Sequence, residues 1–315
     1  MTATERPSAI PPITLFTPLS GRTSLWEGYS RFLTEQQWPH QQIRLILMDT
    51  SQSPEFGAMV RDWVAQCDYP QARLLTLSPG RPGLADERRV SVEKVPQAEV
   101  LRDLHLAMVL IYNRMKAMVQ TPYLWVIEDD IIPPVDALGQ LFDGMCPETV
   151  SVSGVYESRY DAGAMVAWDQ AGKVLRTGSG IQEIGGNGFG CVLFRAAALK
   201  QHIFTSDLKN STFDREFYRR FQPSQRVKLH WDVRCQHVAE RIAFPPCPHT
   251  FSDGVSEATF DEAYYLGLYA DVADAVAQGK LPNGLTHYLR YGQAEGRWAR
   301  PLETASAPTK EPVRP

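Results

Sequence analysis

Three adjacent acids, Glu128, Asp129 and Asp130, stand between an apolar run, Tyr123 to Ile127, and Ile131. Like charges about 4 Å apart repel by roughly 4 kcal/mol at an effective dielectric near 20, so such a triplet beside a buried strand calls for a cation. Hard oxygen ligands suit Mg²⁺ or Mn²⁺, held by one or two carboxylates with phosphate oxygens completing the shell. A solvated acidic turn capping the helix after Pro133 is the competing reading. His230, Asp232 and His237 flank the strand-like Val233 to Val238. Neutral imidazole binds Mn²⁺ readily, so His237 with Asp130 makes a site of few protein ligands, although a lone His is as readily structural. Asp214 and Glu216 lie at the start of an amphipathic helix, where Asp is commonly an N-cap. Gly185 to Gly190 offers close backbone approach and positive φ beside a ligand, or simply a tight bend. No Gly-Lys-Ser/Thr follows it, which disfavours a phosphate-cradling NTPase.

Ligands of open α/β sheets bind beyond the carboxyl ends of strands, so the order of elements decides whether these residues meet. Ile13 to Thr17 is a β-rich run closed by Pro18, and Leu25, Tyr29, Phe32 and Leu33 carry a helical spacing within Leu25 to Gln37. Arg44 to Asp49 reads as a strand, Phe56 to Val64 as a helix and Ala72 to Leu77 as a strand. This β-α-β-α-β order predicts a largely parallel sheet covered by helices on both faces. Ser78 to Pro96, rich in Gly, Pro and charge and containing Arg81, Arg88 and Arg89, is no core element and reads as mobile or functional. Val100 to Val119 is a long amphipathic helix stopped by Thr121 and Pro122, and Tyr123 to Ile127 is a buried strand running into the acids. A helix from Pro133 to about Met145, a strand Val150 to Val155 and a hairpin Ala164 to Arg176 turning at Gln170 to Gly172 follow. Cys191 to Phe194 is a strand leading into a helix from about Ala196.

An opening strand with Thr17 and Pro18, a second strand ending in Asp49, a helix bearing Asn113 and Arg114, and an apolar strand ending in Glu-Asp-Asp resemble the nucleotide-sugar half of a GT-A glycosyltransferase of the family 2 type. The likeness covers roughly Ile13 to His237 and implies a Rossmann-like α/β fold. It implies that Glu128, Asp129 and Asp130 form the DxD motif, with Glu in place of the first Asp and Asp130 as metal ligand beside the late His237. Thr17, Pro18, Asp49, Asn113, Arg114, Glu128, Asp129 and Gly188 are the implied donor contacts, Asp49 on the uracil or ribose. Arg195 is implied on the acceptor side, and Asp214 as general base with Glu216 as its fallback. A placed carboxylate in that role contributes typically ~10²–10⁴-fold. The implied activity is inverting transfer of a sugar from a nucleoside diphosphate sugar to a glycan or other hydroxyl acceptor, assisted by Mn²⁺ or Mg²⁺, in bacterial glycan biosynthesis. The residues alone leave open a metal-dependent phosphoester hydrolase and a non-catalytic carbohydrate-binding or scaffold protein.

The 315-residue chain is 43% hydrophobic and 22% charged, which fits a folded globular protein. Lys plus Arg number 32 against 36 Asp plus Glu, a formal charge of -4, so no basic excess suits nucleic acid. Met1 to Pro12 lacks the apolar core of a secretory signal, and His105, Asn113, Arg114 and Lys116 interrupt Leu104 to Val119 as a membrane span. Five cysteines without a C-x-x-C pair fit reduced thiols in a cytoplasmic protein. The reading divides the chain into a flexible leader (1–12), a GT-A domain (13–244), a linker (245–259), a small helical module (260–300) and a disordered tail (301–315). Phe260 to Leu266, Tyr269 to Ala273, His287 to Gly292 and Glu295 to Arg297 resemble a short module found beside bacterial carbohydrate-handling enzymes. Tyr264, Tyr265, Leu268, Val272 and Val276 recur at helical intervals there, and exposed Tyr or Trp298 suits contact with a sugar or a protein partner.

Overall fold

The computed structural model describes residues 10–51, 53–77, 97–159, 161–205, 212–238, 257–292 and 299, with backbone only over 97–106. The expectations for the leader up to residue 9, Ser78 to Pro96, Pro245 to Ser256, Glu295 to Arg297, Trp298 and the tail from Pro301 lie outside these residues.

Strands β1 (Ile13–Leu19), β2 (Ile43–Asp49) and β3 (Arg73–Thr76) alternate with helices α1 (Thr23–Glu35) and α2 (Pro54–Gln66), and α3 (Gln97–Met118) leads into β4 (Tyr123–Ile127). Then come β5 (Ile131–Ile132), α4 (Ala137–Asp143), β6 (Thr149–Val155), β7 (Ala167–Trp168), β8 (Ile181–Ile184), β9 (Gly186–Asn187) and β10 (Cys191–Arg195). Helices α5 (Ala196–Lys200) and α6 (Phe213–Tyr218) precede β11 (Arg226–Arg234) and β12 (Gln236–His237). An eight-stranded sheet runs in the order β3-β2-β1-β4-β10-β6-β11-β8. Its β3-β2-β1-β4 half is parallel, as is β6 with β11, while β10 and β8 run against their neighbours.

Alternation along continuous apolar strands explains the layering, since successive side chains point to opposite faces. Leu15, Leu45, Leu47, Trp125 and Leu193 face a layer with Trp26, Tyr29, Phe32 and Leu33 of α1. Phe16, Ile46, Leu124, Val126 and Phe194 pack on the other face against Val109, Tyr112 and Met115 of α3. Each such side chain stabilises the fold by roughly 1.5–3 kcal/mol relative to exposure.

Several boundaries differ from expectation. Pro18 does not close β1; pairing with β4 ends at Phe16, so the proline, which lacks an N–H, lies beyond that ladder while still registered with Met48 of β2. Ile131 and Ile132 pair with β12, so α4 starts only at Ala137. The stretch read as one strand from Val233 is split between β11 and β12, which belong to different sheets. The hairpin expected over Ala164 to Arg176 is present: the Met165 amide donates to Leu175 O (2.8 Å), Leu175 to Ala167 O and Asp169 to Lys173 O (both 2.9 Å), its turn is held by the Ala171 and Lys173 amides on Asp169 (both 2.9 Å), and Ala167 and Trp168 pair with β9 as well.

Between residues 257 and 292 the chain forms α7 (Glu262–Leu268), α8 (Ala270–Ala277) and α9 (Gly284–His287). Tyr265, Val272, Tyr288 and Ala299 make their own small core. Glu262 accepts from the amides of Gly284 (2.6 Å) and Leu285 (3.1 Å), and Tyr265 Oη meets His287 Nδ1 at 3.0 Å. No helix among the described residues is long and apolar enough to cross a membrane.

Candidate active site

The strand order reverses at β1, with β2 on one side and β4 on the other, and the carboxyl ends of β1, β2, β4, β6 and β11 share one edge. Glu128, Asp129 and Asp130 turn off the end of β4 there, with the Ile131 amide donating to Glu128 O at 3.0 Å. Ser20 donates to Asp129 Oδ2 through both its amide and its hydroxyl, each at 2.7 Å. Gly21, at φ +82°, supplies the left-handed turn after β1 that brings Ser20 and Arg22 back to the triplet. Arg22 Nη1 lies 3.5 Å from Asp129 Oδ1 and pairs with Asp130 Oδ2. Glu128 accepts from Tyr112 Oη at 3.2 Å; burial raises its pKa against the pull of Arg159.

Asp130 and His237 meet through backbone register. His237 sits opposite Ile131 in the β5–β12 ladder, and the Val238 amide donates to Asp130 O at 3.0 Å. Nδ1 of His237 lies 2.6 Å from Glu157 O, and Arg159 Nε donates to its Nε2 at 2.5 Å. Burial, aided by the charges of Arg159 and Arg22, lowers the His237 pKa to about 4 against the carbonyl's opposing pull, so the ring is neutral with Nδ1 as donor and a lone pair on Nε2. Arg159 Nη2 also pairs with Asp130 Oδ2, so one guanidinium spans both residues.

Does this pair suit a divalent ion? Asp130 is 4% exposed, and its Oδ1 is buried without a hydrogen-bond partner among the described residues. That hard oxygen suits Mn²⁺ or Mg²⁺, and the neutral imidazole nitrogen suits Mn²⁺ of the two, provided that further ligands come from outside the chain. No group of three or more His, Cys, Asp or Glu side chains placed to hold one ion occurs among the described residues. Arg159 stands across the same two residues, and each pair of unit positive charges 4 Å apart costs about 4 kcal/mol at an effective dielectric near 20. Ion and guanidinium therefore exclude one another.

The other expected residues divide into those at this edge and those buried in support. Asp49, 3% exposed, ends β2 in register with Leu19; its Oδ1 accepts from the Ser51 amide at 2.9 Å in an Asx turn. Thr17 is fully buried inside β1, its hydroxyl 2.5 Å from Tyr29 Oη. Asn113 brackets the backbone of Phe204, donating to its carbonyl at 2.8 Å and accepting from its amide at 2.9 Å. Arg114, one residue on, is 7% exposed. Gly188 and Gly190 do not have positive φ; close packing requires them. A Cβ on Gly188 would lie 2.6 Å from both Tyr156 Oη and Val166 Cγ1. On Gly190 it would lie 2.6 Å from Tyr156 Cζ and 2.9 Å from Ile131 Cγ1, while the Gly190 amide donates to Tyr156 Oη at 2.9 Å. Gly190→Ala is accordingly expected to destabilise the protein by about 1–3 kcal/mol, read as a lower urea midpoint at unchanged slope.

Asp214 is not the N-cap of α6; Thr212 is, and Asp214 Oδ1 accepts from the Thr212 hydroxyl and from the Arg215 amide at 2.8 Å. Its charge raises the pKa of Tyr112 and of Tyr156, as does that of Glu128, burial being the main cause in both. Asp214 follows Phe213, whose ring stacks on Tyr112 at 5.2 Å, and Tyr112 is the tyrosine that donates to Glu128. Glu216 pairs with Arg219 instead, and His230 lies within β11, its Nδ1 accepting from the Asp232 amide at 3.3 Å. Ser20, Arg22, Tyr112, Tyr156 and Arg159 also belong to the candidate site, and the sequence did not single them out. The only local signal was that each follows a strand or lies on the helix preceding β4.

A mostly parallel α/β sheet with an acidic turn at its switch point defines a Rossmann-like fold of the GT-A kind. No family model and no curated protein matches the chain. Among solved structures it is similar to the mannosyltransferase PcManGT from Pyrobaculum calidifontis, in complex with GDP-Man and Mn²⁺, at 15% identity and a TM-score of 0.50. That match covers 76% of this chain and 60% of the mannosyltransferase. A197 from STIV aligns over 76% of this chain and 97% of its own at 12% identity, with a TM-score of 0.40. The fold is glycosyltransferase-like.

Proposed function

We propose that this chain is a glycosyltransferase of the family 2 type, moving a sugar from a nucleoside diphosphate sugar to the hydroxyl of a glycan or other acceptor. The observation carrying this reading is the seating of Asp130 and His237 side by side at the edge where the strand order reverses. The GDP-Man and Mn²⁺ bound by the mannosyltransferase of similar fold support a nucleotide-sugar donor and a divalent cation here. In this reading Asp130 Oδ1 and His237 Nε2 hold Mn²⁺ or Mg²⁺, which when bound neutralises charge on the departing diphosphate. Asp49 accepts hydrogen bonds from the base or ribose, through the oxygen that the Ser51 amide leaves available. Ser20 and Arg22 fix Asp129 and the acidic turn, and Asn113 and Gly188 act by holding the segments that line the donor. Asp214 takes the acceptor proton as the new bond forms, a single displacement that inverts the anomeric centre. The free thiols of Cys67, Cys146, Cys191 and Cys235 fit a reducing compartment such as the cytoplasm.

A thermal-shift screen of GDP- and UDP-sugars with Mn²⁺ tests the reading, because a ligand at 100 times its Kd adds about 2.7 kcal/mol of stability. The expected result is a shift with one nucleotide class and release of nucleoside diphosphate when an acceptor is added. A protein that no nucleotide sugar stabilises, with or without Mn²⁺, would not be a nucleotide-sugar transferase.

A further inference from the structure

A side chain of this protein spans the two residues proposed to hold the cation. Arg159, from the loop after β6, donates Nε to His237 Nε2 at 2.5 Å and pairs through Nη2 with Asp130 Oδ2. It thus bridges the two groups proposed to hold the ion, while Arg22 stays paired with Asp130 and lies near Asp129. His237 is held in ligand orientation by Glu157, two residues before Arg159, so one short segment positions both the nitrogen ligand and its competitor.

Resting on the proposed function, we infer that Arg159 is an exchangeable occupant of the cation position: a divalent ion enters as a nucleoside diphosphate draws the guanidinium away, and the two ligands bind as a coupled pair. A planar guanidinium matches a phosphate's oxygens in a bidentate fork, so the diphosphate offers Arg159 a partner of the same charge as the carboxylate it leaves. Arg22 keeps the acidic turn compensated during the exchange. Without nucleotide, the arginine preserves the ligand pair and disfavours occupation by a stray ion.

The test is Mn²⁺ binding followed by calorimetry and by the electron paramagnetic resonance of free Mn²⁺, with and without GDP or UDP. Wild type is expected to bind Mn²⁺ weakly alone and at least about 10-fold more tightly with the matching nucleotide, within the usual 5–150-fold range of couplings. Arg159→Ala is expected to bind Mn²⁺ alone about 10-fold more tightly than wild type and to lose most of the nucleotide dependence. Arg159→Gln, which keeps a hydrogen-bonding side chain without the charge, provides the same comparison if the alanine variant fails to fold. Unchanged Mn²⁺ affinity in the folded variants, with nucleotide binding intact, would overturn the exchange and leave the proposed function standing. Wild type that takes up neither GDP nor UDP at any Mn²⁺ concentration would overturn both.

Discussion

Asp130→Ala is expected to give a protein that no longer binds nucleoside diphosphate with Mn²⁺ and that unfolds at clearly lower denaturant. The carboxylate supplies, among the described residues, a buried oxygen without a hydrogen-bond partner at the proposed cation position, and its other oxygen pairs with Arg22 and Arg159. Removing it abolishes the oxygen ligand and leaves two guanidinium groups facing each other. Breaking a buried ion pair by deleting one partner costs about 3–5 kcal/mol. Asp130→Asn separates the two effects, since it keeps the volume and a hydrogen-bond acceptor but removes the charge. Calorimetric titration with GDP or UDP and Mn²⁺, beside urea denaturation, gives both readouts. Wild-type affinity in Asp130→Ala would remove this residue from the cation site.

Asp214→Asn is expected to retain nucleotide binding and lose turnover by ~10²–10⁴-fold, the usual contribution of a positioned general base. The carboxylate sits in the first turn of α6, and its charge reaches Tyr112 and Tyr156 beside the acidic turn. The amide is nearly isosteric and can still accept from the Arg215 amide through its carbonyl oxygen, so the helix start should persist. A single-turnover assay with saturating donor separates chemistry from binding. Loss of turnover in Glu216→Gln, with Asp214→Asn unaffected, would move the role to Glu216.

Much of the fold was legible because apolar strands and amphipathic helices carry a local period. The limits of β2 and β4 follow from RLILMD and YLWVI, and the acids fall at a strand's carboxyl end as their position suggested. Strand direction was less readable, since an apolar run such as Cys191 to Phe194 looks the same whether it pairs parallel or antiparallel; β10 runs against both β4 and β6. The placing of His237 next to Asp130 depends on two-residue strands, too short for any periodicity, and on pairing distant in sequence. Arg22 and Arg159 were missed for the same reason, being isolated basic residues in loops whose partners are defined only by the folded register. The glycines near Phe189 were singled out, but what requires them is the ring of Tyr156, which local sequence does not place there.

The short β5–β12 ladder has a consequence for the order in which the protein matures. During synthesis the strands through β11 emerge from the ribosome before the residue proposed to complete the cation site, and a domain's non-local pairings close only once both partners are available. A nascent chain released before residue 237 would hold most of the large sheet yet lack the nitrogen opposite Ile131. In the proposed reading the cation site is thus completed only after β11, the last strand of the large sheet to be made, when β12 pairs with β5.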